Sequence, residues 1–176
     1  MSFAPPTLAR DYDLISSLDP ALDAPERAGG EDETEWKERF DAWNDRLRIA
    51  RENGDWSALL RDGMKPTLFR CRHVPGDKWA MRDRVLAGMG VDEYMGHVVR
   101  LAVVGVDNYR LDFKLKLVEH TDLDKKPTGF GKVADPALVA ELAAIRDADG
   151  NPVGQHIVNE LGALIIARQM GAPPGK

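Results

Sequence analysis

The chain holds a single cysteine, Cys71, among 176 residues. That excludes an internal disulfide and a cysteine-built zinc site, and it is the usage expected of a protein made in a reducing cytosol. No apolar run reaches the roughly 18 residues that a membrane-spanning helix needs, so no span is expected. The start, Met1-Ser2-Phe3-Ala4-Pro5-Pro6, has neither the basic opening nor the apolar stretch of a secretory signal. A phosphate-binding loop, a dinucleotide fingerprint, a His-Glu-x-x-His pair and a nucleophile elbow are all missing. No catalytic residue, metal or cofactor is therefore assigned.

Two near-motifs fail on inspection. Asp147 to Asn151 resembles the start of a calcium loop, but Pro152 stands where the turn needs glycine and Val158 where the closing acid belongs. That segment reads as a turn. His120, Asp122 and Asp124 alternate, yet one histidine and two loop acids are a commonplace surface pattern. His156 and Glu160, one helical turn apart, read as a surface pair. Cys71 falls inside an expected strand and reads as a small buried hydrophobe.

What the chain does contain is enough apolar side chain, 43% of residues, to fill one modest core. The net charge of −5 is unevenly spread. Residues 1–33 hold eight acids against Arg10 and Arg27, whereas residues 65–116 hold ten Lys or Arg against six acids. Residues 1–31 are rich in proline and glycine, including Pro5, Pro6 and Pro20, and lack periodicity, so an extended N-terminal arm is expected. Within it Asp19-Pro20 could open one helical turn.

Residues 32–170 read as one α+β domain, mainly helical with a small antiparallel sheet, followed by a tail over 171–176. Asp32 with Glu35 has capping-box spacing, and Trp36, Phe40, Trp43, Leu47 and Ala50 form one apolar stripe that ends at Gly54. A strand is expected near 66–74, with Phe69 and Cys71 on one side and Arg70 and Arg72 on the other. Helices follow over Lys78 to Ala87 and Asp92 to Gly105. The second of these carries enough β-branched residues, Val98 to Val104, to compete as a strand with a hairpin turn at Asp107-Asn108. A second strand is expected near 110–119, burying Leu111, Phe113, Leu115 and Leu117. Residues 119–135 read as a loop, Asp135-Pro136 opens a helix to Ile145, and a final helix runs from Gly154 to Met170. There Gly162 and Ala163 would admit a close neighbour.

The outer side of both strands is thus basic: Arg70, Arg72, Arg110, Lys114 and Lys116. These, with Pro5, Pro6 and Pro20, are the expected partner-binding residues. Single-strand nucleic-acid readers place aromatics among such cations. Here Phe69 and Phe113 fall on the opposite side, so nucleic acid is not the expected partner.

The segment Gly63-Met64-Lys65-Pro66-Thr67-Leu68-Phe69-Arg70-Cys71-Arg72 resembles one in small proteins of phage virion-gene clusters, a Gly-x-x-Pro-Thr-x-Phe strand with a basic end. Asp19-Pro20-Ala21-Leu22 resembles their upstream acidic segment. Val103-Val104-Gly105-Val106-Asp107-Asn108 and Asn159-Glu160-Leu161-Gly162-Ala163-Leu164-Ile165 resemble their middle and end. The pieces are short and spread over most of the chain; the Trp-rich helix and residues 119–135 have no counterpart. The resemblance implies a virion component or assembly factor, including the tail-assembly chaperone type. It would be non-enzymatic, made in the host cytoplasm and carried in the virion, with other phage structural proteins and copies of itself as partners. The arm and tail would then bind neighbouring subunits. The competing expectations are a phage-encoded adaptor or inhibitor of one host protein and, were a cleft to gather His97, His120 or His156 with acids, an enzyme.

Overall fold

The computed structural model describes residues 11–79, 87–122 and 124–171. The architecture is α+β, mainly helical, with a three-stranded and a two-stranded antiparallel sheet. Strand β1 (Tyr12–Leu14) lies at the edge of the first sheet, β2 (Leu68–Cys71) at its centre and β3 (Val103–Asp107) beyond. Tyr12 faces Cys71, Leu14 faces Phe69, and Phe69 faces Val106.

This registration places the described part of the expected arm. From Tyr12 onward it is built into its own subunit. Leu14, Ile15, Ala21 and Leu22 are buried, and such apolar groups leave water wherever the chain can reach a core. Asp23 N–H donates to Leu59 O and Arg61 N–H to Ala21 O, at 2.8 Å each. Proline and glycine in this stretch shape turns rather than mark disorder. Pro5 and Pro6 lie outside the described residues.

Helix α1 (Glu33–Asn53) follows its sequence signals. Asp32 caps it by accepting from Thr34 N–H, and Gly54, at φ +74°, closes it with an N–H donated to Ala50 O. Its stripe is only half spent: Trp43, Leu47 and Ala50 are buried, and Trp36 and Phe40 are half-buried in a stacked aromatic row. What buries the stripe is the arm, through Ile15 and Leu22, together with Trp56 and Leu59.

The larger core lies between the first sheet and three helices: α2 (Val91–Ala102), α3 (Pro136–Ala143) and α4 (Gly154–Gln169). Both readings of residues 92–105 hold in part, because α2 passes without a loop into β3 at Val103. Gly162 does admit a neighbour, as expected: a Cβ there would stand 2.8 Å from Met95 Sδ and 3.2 Å from Met95 O on α2. Gly154 is tighter still against the backbone of Leu142 and Ala143. The helix expected over Lys78 to Ala87 falls mostly on residues outside those described.

The expected strand near 110–119 needs correction in position, since strand β4 spans Leu117–Thr121. Residues 110–113 form a turn, with Phe113 N–H donating to Arg110 O, and Leu111 points fully into solvent. Specific anchors overrode the alternation. Arg110 is drawn to Glu141 on α3 at 2.8 Å, and Phe113 meets the Tyr109 ring edge-on. The expected loop over 119–135 is also corrected. It holds β5 (Pro127–Ala134), paired with β4 so that Val118 faces Val133. The hairpin packs Phe130 and Val133 against Val74 and Leu101. No helix among the described residues is long and apolar enough to cross a membrane.

Candidate functional site

The residues that carry the chain's chemistry are largely engaged in holding it together. Glu160 on α4 accepts from Ser16 Oγ at 2.7 Å, from Ser17 N–H at 2.9 Å and from Arg51 Nη2 at 2.5 Å. One carboxylate thus joins the arm, α1 and α4, which corrects its reading as half of a surface pair with His156. Asp19, nine-tenths buried, accepts from Ala21 N–H and Thr67 N–H at 2.8 Å each. It pins the turn at Pro20 to the start of β2. Cys71 is fully buried, and burial pushes its thiol well above the usual range, so it is no nucleophile.

His120 is buried on β4, with Nδ1 2.6 Å from Thr128 Oγ1. Burial and the nearby Arg100 hold it below the usual histidine range, and the same two causes act on His97. Neither joins His156. Among the described residues no group of His, Cys, Asp and Glu is placed to hold a metal.

The expected basic face is dispersed. Arg70 pairs with Asp107 at 2.6 Å. Arg72 reaches to the hairpin, donating to Leu101 O and Lys132 O and lying over the Phe130 ring. Arg110 is bound to Glu141 and to Asp112, while Lys114 and Lys116 are exposed on the following connection. Dispersal follows from the misplaced strand, since these three no longer share a sheet face with Arg70.

A concave feature with an apolar floor lies elsewhere. A cleft of about 400 Å³ opens between the arm turn, the start of β2 and the loop after β3. Phe69, Leu142, Ile145 and Ile157 floor it, Leu18 and Met64 rim it on one side, and Asn108 and Tyr109 wall it on another. Its volume lies in the range of about 300–1,000 Å³ typical of ligand and side-chain pockets. Asn108, at φ +59°, donates from Nδ2 to Pro66 O and fixes that wall. Pro20 stands exposed at the cleft's edge. Sequence reasoning missed Leu18 and Met64 because both sit among turn residues, without period.

No protein-family profile, curated protein or solved structure matches the chain.

Proposed function

We propose that the chain is a non-enzymatic phage structural or assembly protein that acts through contacts with neighbouring subunits, including its own copies. The observation that carries this reading is the division of labour among its side chains. Glu160, Asp19 and Arg51 are spent on joining segments, while Leu18 and Met64 are held outward at an apolar cleft and Leu111 stands exposed on the turn that follows Tyr109. Surfaces of that kind mark association. The phage assignment itself rests on the short segments of resemblance around Gly63 to Arg72 and Asp19 to Leu22. The contact surface shifts from the arm to the cleft face, since residues 12–31 are committed to their own subunit.

Mass spectrometry of purified particles of the phage that encodes the chain tests this. Abundant peptides are expected if it is a component. Absence from particles, with co-purification of a phage tail or head protein from infected cells, marks an assembly factor. Absence from both, with capture of a single host protein, would replace the reading by the adaptor or inhibitor, for which the cleft on an isolated subunit would serve as well.

A further inference from the structure

An indole N–H that leaves water ordinarily finds an acceptor, because a buried donor without one forfeits its hydration. Trp43 departs from that rule. It is 3% exposed, and its Nε1 has no hydrogen-bond partner among the described residues. Trp43 is also one of the residues lining a broad concavity of about 680 Å³, formed where α1 meets residues 23–26 of the arm and Arg61. The backbone around it is fixed, since Asp23 N–H donates to Leu59 O and Arg61 N–H to Ala21 O.

Three guanidinium groups line the same concavity. Arg39 and Arg46 stand four residues before and three after Trp43 on α1, the spacing of one helical face. Arg61 comes from the segment after the short turn at Ser57–Leu59. Arg39 is committed: Nε and Nη2 donate to Glu31, and Nη2 also to Glu26 O. Arg46 makes no hydrogen bond or ion pair with a described residue, and no acid lies three or four positions from it along the helix. Arg61 meets only Asp23 and Glu26, at 3.7 and 3.9 Å, and those carboxylates are 76% and 89% exposed. Pairs so loose and so well solvated hold little energy against a better acceptor. With Arg39 matched by Glu31, the uncommitted groups are Arg46 and Arg61, opposed by two carboxylates that stand in water.

Two forked donors and an indole N–H together ask for three acceptor oxygens. A carboxylate offers two and a phosphate group three, and guanidinium groups meet phosphate in bidentate geometry. We propose that this concavity is a binding site for a phosphate group, free or carried on a small molecule, held by Arg46 and Arg61 beside Trp43. The site goes beyond the assembly reading and does not depend on it.

Nuclear magnetic resonance of the full chain tests the site, with W43F assigning the Trp43 indole cross-peak. Titration with inorganic phosphate near neutral pH, at constant ionic strength, should shift that peak saturably. R46A and R61A should each raise the dissociation constant about tenfold, as loss of one charge-assisted contact would. R48A should not, because Arg48 pairs with Glu52 and does not line the concavity. Circular dichroism should be unchanged in all three variants, whose replaced side chains face solvent. Glycerol phosphate binding more tightly than inorganic phosphate would assign the site to an organic phosphate, and equal binding to the free ion. A peak that stays still, a shift that acetate or chloride reproduces, or a titration that R46A and R61A leave unaltered overturns the proposal.

Discussion

Two of the cores among the described residues are held by different means. The body core, between the first sheet and α2, α3 and α4, buries a continuous set that includes Phe69, Val98, Val99, Leu138, Leu142, Leu161 and Ile165. Its elements are regular and its helices meet at glycines. The second core is smaller. It joins α1 to irregular segments through Ile15, Leu22, Trp43, Leu47, Trp56 and Leu59. Apolar area holds both, but the arm and α1 bury less of it and depend in addition on polar joints at Glu160 and Asp19. Regular packing tolerates many small changes; a joint made by one carboxylate fails at one substitution.

The largest test of this contrast is removal of the arm. Deleting residues 1–31 takes away β1 and the buried Leu14, Ile15 and Leu22. At about 1.5–3 kcal/mol for each buried side chain, the loss approaches the 5–15 kcal/mol that holds a typical domain. The truncated chain should lose cooperative thermal unfolding and much of its helical circular dichroism. Deleting only residues 1–10 should leave both intact. A stable, cooperatively folding 32–176 fragment would show that the second core is dispensable.

Within the body, the sharpest test is Gly154→Ala. The added Cβ would stand 2.5 Å from Ala143 C and closer still to Leu142 O, both backbone atoms. Shifting two packed helix ends should cost about 3 kcal/mol, at the upper end of overpacking penalties. Gly162→Ala meets the flexible Met95 side chain first and should cost about half as much. Calorimetric melting of both variants reads the difference, and equal shifts would mean that the helices slide freely.

Glu160→Gln probes the joint. An amide keeps the shape and can still accept from Ser17 N–H, but its N–H₂ group would face the Arg51 guanidinium, which is largely buried. The expected loss is about 2–3 kcal/mol, or roughly 5–10 °C in melting temperature for a chain of this size. Hydrogen exchange should speed up in α1 and at Ser17 and stay unchanged in α2. Equal acceleration everywhere would abolish the distinction between the two regions.

These contrasts also explain how much of the molecule was legible beforehand. Wherever a residue's role depends on its neighbours along the chain, the reading held. Asp32 and Gly54 bound α1, and Asp135 caps α3 by accepting from Ala137 N–H. Wherever the role depends on a distant partner, it did not. Nothing near Glu160 points to Ser16, 144 residues away. Nothing near Tyr12 points to Cys71. The alternation of Leu111, Phe113, Leu115 and Leu117 described a strand for which no ladder partner was on offer until Leu117. Of the cleft, only Phe69 and the helix faces were expected as core; Leu18 and Met64 had no periodic signal.

The smallest predicted effect separates the regions by pH. His97 and His120 lie on α2 and β4, around the hairpin and away from α1. Burial, then Arg100, holds both below the ordinary value of 6.5, although Glu93 and Glu119 oppose this. Arg72 and Lys78 also approach from across the Phe130 ring. The unfolded chain therefore takes up protons near pH 6.5 that the folded chain refuses, and stability must fall as pH drops through that value. It stops falling only once the folded histidines are themselves charged. Glu93 and Glu119 temper the shift, so the loss should be the smallest of those predicted. Trp79 packs beside the hairpin, while Trp36, Trp43 and Trp56 belong to α1 and its core. Between pH 7 and pH 5.5, chains that keep only Trp79 should lose melting temperature first. His97→Gln together with His120→Gln should flatten that slope. If the α1 tryptophans respond to acid as early as Trp79, the two cores unfold as one, and the polar joint at Glu160 couples them more tightly than its size suggests.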